Sequence, residues 1–131
     1  MATFTALLID DETDFATTLA ERLGMRGVET LVAADGYEGI ELAREHRPPV
    51  VVLDMMMPGL GGLDVLREIR RMLPGTEVIL LTGHGLSDKG IEGMRQGAFD
   101  FLVKPVRIEE LLEKMREAVG KHAPGADGGE A

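Results

Sequence analysis

The sequence predicts a single doubly wound α/β domain, a parallel sheet covered by helices on both faces. Three observations predict it. Apolar runs rich in Val, Ile and Leu alternate with longer stretches of helical period, the pattern of strands buried on both sides. The chain has 131 residues, enough for one core that buries roughly 68% of the surface exposed by the unfolded chain. Polar residues stand where the apolar runs end: Asp10 and Asp11 after Ala6-Leu7-Leu8-Ile9, Asp54 after Val50-Val51-Val52-Leu53, Thr82 after Val78-Ile79-Leu80-Leu81, and Lys104 after residues 99–103.

Strands are expected over residues 4–9, 28–33, 50–54, 77–82 and 99–103. Helices are expected over 14–25, 36–46, 63–73, 87–97 and 107–121, which makes five βα units. The first helix repeats Phe15, Leu19 and Leu23 on one face. The second opens with Asp35 as N-cap and Glu38 as its capping-box partner. The third repeats Leu66, Ile69 and Leu73. Gly90, Gly93 and Gly97 interrupt the fourth, and each helical Gly costs ~1 kcal/mol against Ala, so this segment is expected to be the most mobile of the five. The fifth carries the clearest stripe, Ile108, Leu111, Leu112, Met115 and Val119, but it starts from Arg107, a poor N-cap. Residues 122–131 hold almost nothing to bury and read as a disordered tail behind a folded unit of residues 1–121.

Composition narrows the function. With 23 acidic against 14 basic residues the net charge is −9, and no helix gathers a Lys/Arg face, so direct binding to nucleic acid is not expected. Four Phe and one Tyr give no platform for stacking bases. The absence of cysteine rules out disulfides and thiolate metal sites and fits a reducing compartment. No leader is evident and no apolar run approaches the roughly 18 residues of a membrane span, so a soluble, cytoplasmic protein is expected. His46, His84 and His122 share no face and make a poor metal set. Met55-Met56-Met57 reads as packing and loop. Gly59, Gly61 and Gly62 lack the G-x-G-x-x-G spacing of a phosphate loop and more simply let the chain turn into a helix.

If the apolar runs are neighbouring parallel strands, their carboxyl ends share one edge, where an open α/β sheet binds its ligand at the point of strand-order reversal. Asp10, Asp11 and Asp54 would meet there with the Thr82 hydroxyl and the Lys104 ammonium. Three carboxylates raise one another's pKa values and call for a cation. Oxygen-only ligands favour Mg²⁺, or Mn²⁺ in its place. A carboxylate can also act as nucleophile toward phosphorus, giving an aspartyl phosphate, whose oxygens the cation, Lys104 and Thr82 would stabilise. Each motif alone has a plainer reading: Asp10-Asp11 as a helix cap, Asp54 and Thr82-Gly83 as turn residues, Lys104 as a solvated lysine leaving an edge strand. Their coincidence at one edge shifts the balance to a phosphoacceptor site.

Through Ile9-Asp10-Asp11, Leu53-Asp54-Met55-Met56-Met57-Pro58-Gly59, Leu81-Thr82-Gly83 and Val103-Lys104-Pro105, the chain resembles the receiver domains of two-component response regulators over about residues 4–121. The resemblance implies a flavodoxin-like sheet of order 2-1-3-4-5. It implies that Asp54 accepts a phosphoryl group from the phosphohistidine of a sensor histidine kinase or histidine phosphotransfer protein. Asp11, Asp54 and the Met56 backbone carbonyl would hold Mg²⁺, with Asp10 assisting. Lys104 would contact a phosphoryl oxygen, and its bond to Pro105 is expected to be cis. Thr82 and Phe101 would form the switch, biasing a two-state equilibrium of the face built from the fourth helix, fifth strand and fifth helix. That face would serve an output protein, an effector domain outside this chain, or a homodimer.

Phe101 stands where Tyr is frequent and brings no hydroxyl. Met56 and His84 occupy positions that, in this family, govern access of water to the acyl phosphate; with no acid at 56, self-dephosphorylation is expected to be slow. The Thr82-Gly83-His84-Gly85 loop is similar to receivers attached to nitrogen-regulation activators. The chief rival is an Mg²⁺-dependent phosphohydrolase using an aspartyl phosphate, which needs a second acid two residues after the nucleophile, where Met56 stands; the Asp10 region offers only Asp10-x-Glu12. A pseudo-receiver is the third reading, disfavoured by the intact acid, Thr and Lys set.

Overall fold

The computed structural model describes residues 3–57, 59–83 and 88–121. Five strands, β1 (Phe4–Ile9), β2 (Val28–Ala33), β3 (Val50–Asp54), β4 (Glu77–Thr82) and β5 (Asp100–Val103), alternate with five helices, α1 (Thr13–Gly24), α2 (Gly36–His46), α3 (Gly62–Met72), α4 (Asp88–Arg95) and α5 (Ile108–Gly120). All pair in parallel, in the order β2-β1-β3-β4-β5. The expected flavodoxin-like architecture is what forms. Its order reverses between β1 and β3, so the crevice above these two strands is where the fold leaves room for a ligand.

Side-chain alternation splits the core. Ala6, Leu8, Val50, Val52, Ile79 and Leu81 face α1 and α5, packing on Leu19, Leu23, Leu111 and Met115. Leu7, Ile9, Val51, Leu53, Val78 and Leu80 face the other way, onto Ala43 of α2 and Val65, Leu66 and Ile69 of α3. Both sides of β1, β3 and β4 are therefore dry, which is why these strands read as unbroken apolar runs. Each such Leu, Ile or Val removed from water contributes about 1.5–3 kcal/mol, so a charge at Ile79, in the middle of β4, would break the fold.

The capping box at α2 forms with one difference. Glu38 N–H donates to Asp35 Oδ1 at 2.8 Å, while Glu38 Oε1 reaches back to Ala34 N–H, also at 2.8 Å. Arg107 caps α5 with no side-chain hydrogen bond, as its chemistry dictates. The fourth helix is short, and its glycines have a reason beyond weakness. Gly93 lies so close to β4 that a Cβ would stand 2.6 Å from Leu80 Cδ1. The expected tail, 122–131, lies outside the described residues, as do Pro58 and His84.

Candidate phosphoacceptor site

Strand register brings the polar residues together. Ile9 pairs with Leu53, so the next residues, Asp10 and Asp54, emerge side by side from the two central strands. Thr82 pairs with Val103, and Lys104 N–H donates to the Thr82 carbonyl at 2.8 Å, setting the lysine one strand further along the same edge. The Lys104–Pro105 peptide bond is cis, in agreement with the resemblance.

Lys104 reaches back over the carboxyl ends of the strands. Its Nζ lies 2.7 Å from Glu12 Oε1, 3.0 Å from Asp10 Oδ2 and 3.6 Å from Asp54 Oδ2, with the Phe15 ring centroid at 4.8 Å. The Asp10 contact is short yet poorly aligned: Asp10 Oδ2 makes no hydrogen bond, so we read it as an ion pair. Asp10 and Asp54 are buried. Their other oxygens are held by the backbone, Asp10 Oδ1 by Glu12 N–H at 2.9 Å and Asp54 Oδ1 by Met56 N–H at 3.0 Å. These two local loops fix both carboxylates.

Burial is the largest influence on Asp54 and pushes its carboxyl from 3.8 up to about 6; the Met56 N–H and Lys104 oppose this, and the Asp10 charge adds to it. Burial also disfavours the Lys104 charge, but its contacts to Glu12 and Asp10 and the field of Asp54 prevail and raise it to about 12. Lys104 is thus a permanent cation against an acid cluster that it does not fully neutralise.

One oxygen from each of Asp10, Glu12 and Asp54 lies within 4.8 Å of the others. This hard-oxygen set suits a divalent cation of the Mg²⁺ or Mn²⁺ kind. Asp11 is exposed and stands outside that trio, although it lines the same 290 Å³ cavity with Glu12, Asp54, Met56, Gly83 and Lys104. Thr82 is buried, and its Oγ1 has no hydrogen-bond partner among the described residues. A buried hydroxyl without a partner is costly, and the next residue, Gly83, lines the cavity together with Lys104. Phe101 is half-buried, paired with Leu80 and packed on the α3 side of the core. Glu12 was not assigned to the site from the sequence, because an acid at a helix start reads as a cap or a dipole partner. Its signal was the third acid of Asp10-Asp11-Glu12.

A family model described as response regulator receiver domain matches residues 6–116. The chain belongs to the response regulator receiver family. The probable transcriptional regulatory protein TcrX of Mycobacterium tuberculosis is 40% identical over 112 residues, covering 86% of this chain and 48% of TcrX. The crystal structure of a response regulator receiver domain protein from Clostridium thermocellum superposes with a TM-score of 0.86 at 38% identity, covering 90% of this chain and 95% of that one. The receiver domain of NtrX from Brucella abortus gives 0.83 at 31% identity, covering 90% and 99%. The receiver spans about half the length of the curated relatives it matches. Among the described residues, no helix is long and apolar enough to cross a membrane.

Proposed function

We propose that this receiver, carried by residues 1–121, takes a phosphoryl group onto Asp54 from the phosphohistidine of a sensor histidine kinase or histidine phosphotransfer protein. One observation supports this above the others: Lys104, Asp10 and Asp54 converge at the strand-order reversal while Thr82 Oγ1 is buried without a partner. An Asp54 oxygen attacks phosphorus, the bond from phosphorus to the histidine nitrogen breaks, and the electron pair stays on the imidazole. Lys104 compensates charge on the transferred group, and the Thr82 hydroxyl donates to one of its oxygens. Asp10, Asp11, Asp54 and the Met56 carbonyl are the proposed holders of Mg²⁺ or Mn²⁺, and Glu12 joins their surroundings. The bound cation supplies positive charge between the acidic cluster and the phosphoryl oxygens.

Once Thr82 turns to the phosphoryl group, the space it leaves favours an inward Phe101, and the α4-β5-α5 face changes with it. That face is the proposed contact for an output protein, an effector domain beyond this chain, or a second receiver. The transcriptional-regulator relatives, of which the chain covers about half, support the effector-domain reading. The phosphohydrolase reading finds no support, since position 56 presents an exposed Met and no acid. The reading makes the domain an acceptor and switch, not a turnover enzyme. Incubation with acetyl phosphate and Mg²⁺ followed by intact mass tests it: one phosphoryl group is gained by the wild type and none by Asp54→Asn. An unmodified wild type, or equal labelling of Asp54→Asn, overturns the assignment.

A further inference from the structure

Lys104 is closest not to the proposed acceptor but to Glu12. The distances run 2.7 Å to Glu12, 3.0 Å to Asp10 and 3.6 Å to Asp54. The Glu12 side chain is 64% exposed, whereas those of Asp10 and Asp54 are 0% and 3% exposed. Glu12 is therefore the one of the three that can move. It also occupies the N-cap position of α1 and makes no side-chain cap bond; its carboxylate turns to the lysine, leaving the amides of the first turn to other partners. Its backbone is not loose, since Glu12 N–H is bound to Asp10 Oδ1 at 2.9 Å.

We infer that Glu12 is a positioning residue that draws the Lys104 ammonium aside from Asp10 and Asp54, freeing their oxygens for a divalent cation. This rests on the phosphoacceptor reading of the site. Without Glu12, the only acids among the described residues within ion-pair distance of Lys104 are Asp10 and Asp54, whose oxygens the cation needs. The ammonium then competes with the metal for them. With Glu12 present, the lysine keeps a counter-charge when the cation enters. The buried carboxylates are released, and Lys104 waits at the rim of the cavity where an incoming phosphoryl group arrives.

A double-mutant cycle read by calorimetric Mg²⁺ titration of the full chain tests this without any phosphorylation. Glu12→Gln should weaken Mg²⁺ binding about fivefold, the upper end for a partly exposed ion pair. In the Lys104→Ala background, which should bind Mg²⁺ more tightly than wild type, the same change should matter less than about twofold. A wild type that binds Mg²⁺ alongside a Glu12→Gln protein of equal affinity would overturn the positioning role alone. Equal weakening in both backgrounds would also overturn it, making Glu12 a direct ligand or a simple field charge. A wild type with no Mg²⁺ affinity would remove the phosphoacceptor reading and this inference together.

Discussion

The Lys114 ammonium lies 2.8 Å from Asp100 Oδ2, tying α5 to the first residue of β5, the strand that carries Phe101 and delivers Lys104. Burial works to raise the Asp100 pKa, but the Lys114 hydrogen bond, the Phe101 N–H at 2.8 Å and the Lys114 charge together hold it below its usual value. A depressed carboxylate contributes stability that is present above its unfolded pKa and lost as pH falls through the folded value. Lys114→Ala should therefore destabilise the protein by about 0.5 kcal/mol at pH 7, the scale of a partly exposed pair. The difference should vanish near pH 2, measured by urea denaturation at both pH values.

Asp54 has the opposite sign. Its carboxyl is raised to about 6, so the stability associated with its proton is complete below the unfolded pKa and lost as pH rises through 6. In metal-free protein with chelator present, Asp54→Asn should be more stable than wild type at pH 8. One pK unit corresponds to about 1.4 kcal/mol, which sets the gain at up to about 3 kcal/mol. The two proteins should converge below pH 4, and saturating Mg²⁺ should narrow the gap at pH 8 by binding the wild type preferentially. Thermal melts across this range decide it.

Legibility in the sequence followed burial. β1, β3 and β4 are dry on both faces, and their apolar runs gave their limits. β5 begins at Asp100 instead of the expected 99, although Phe99 N–H already donates to the Val78 carbonyl of β4; the ends of an element fray by a residue or so. Strand order was not readable from periodicity, since no local pattern says which strand lies beside which; the resemblance supplied it. Asp10, Asp54, Thr82 and Lys104 were visible because each ends an apolar run. The place of Glu12 beside Lys104 was not, because the two lie 92 positions apart and the contact depends on where Lys104 turns. The packing of Gly93 against Leu80 was hidden for a related reason, as helix propensity is local and this contact is not.

That contact makes a testable distinction. If the α4 glycines only weakened the helix, Gly93→Ala would stabilise the protein by about 1 kcal/mol. A Cβ at this position would instead meet Leu80 Cδ1 at 2.6 Å, with Leu66 Cδ2 at 3.6 Å behind it, and Leu80 is fully buried in a close-packed core. Gly93→Ala should give no net gain, and Gly93→Val should cost about 2 kcal/mol through overpacking. Chemical denaturation of the three proteins measures both.

Met56 projects from the loop after β3 with 65% of its surface exposed, and it lines the cavity together with Asp54, the proposed acceptor. Its thioether is a weak acceptor with no acidic proton, so it can neither orient a water nor take a proton from it. Hydrolysis of an acyl phosphate at Asp54 then lacks a positioned nucleophile, and the modified state should persist. A carboxamide at the same place offers both a donor and an acceptor to a water within reach of phosphorus. Met56→Asn should shorten the lifetime of the phosphorylated protein several-fold while leaving the amplitude of labelling by acetyl phosphate unchanged, followed by intact mass after removal of the donor. Equal decay of the two proteins would place control of the lifetime elsewhere in the site.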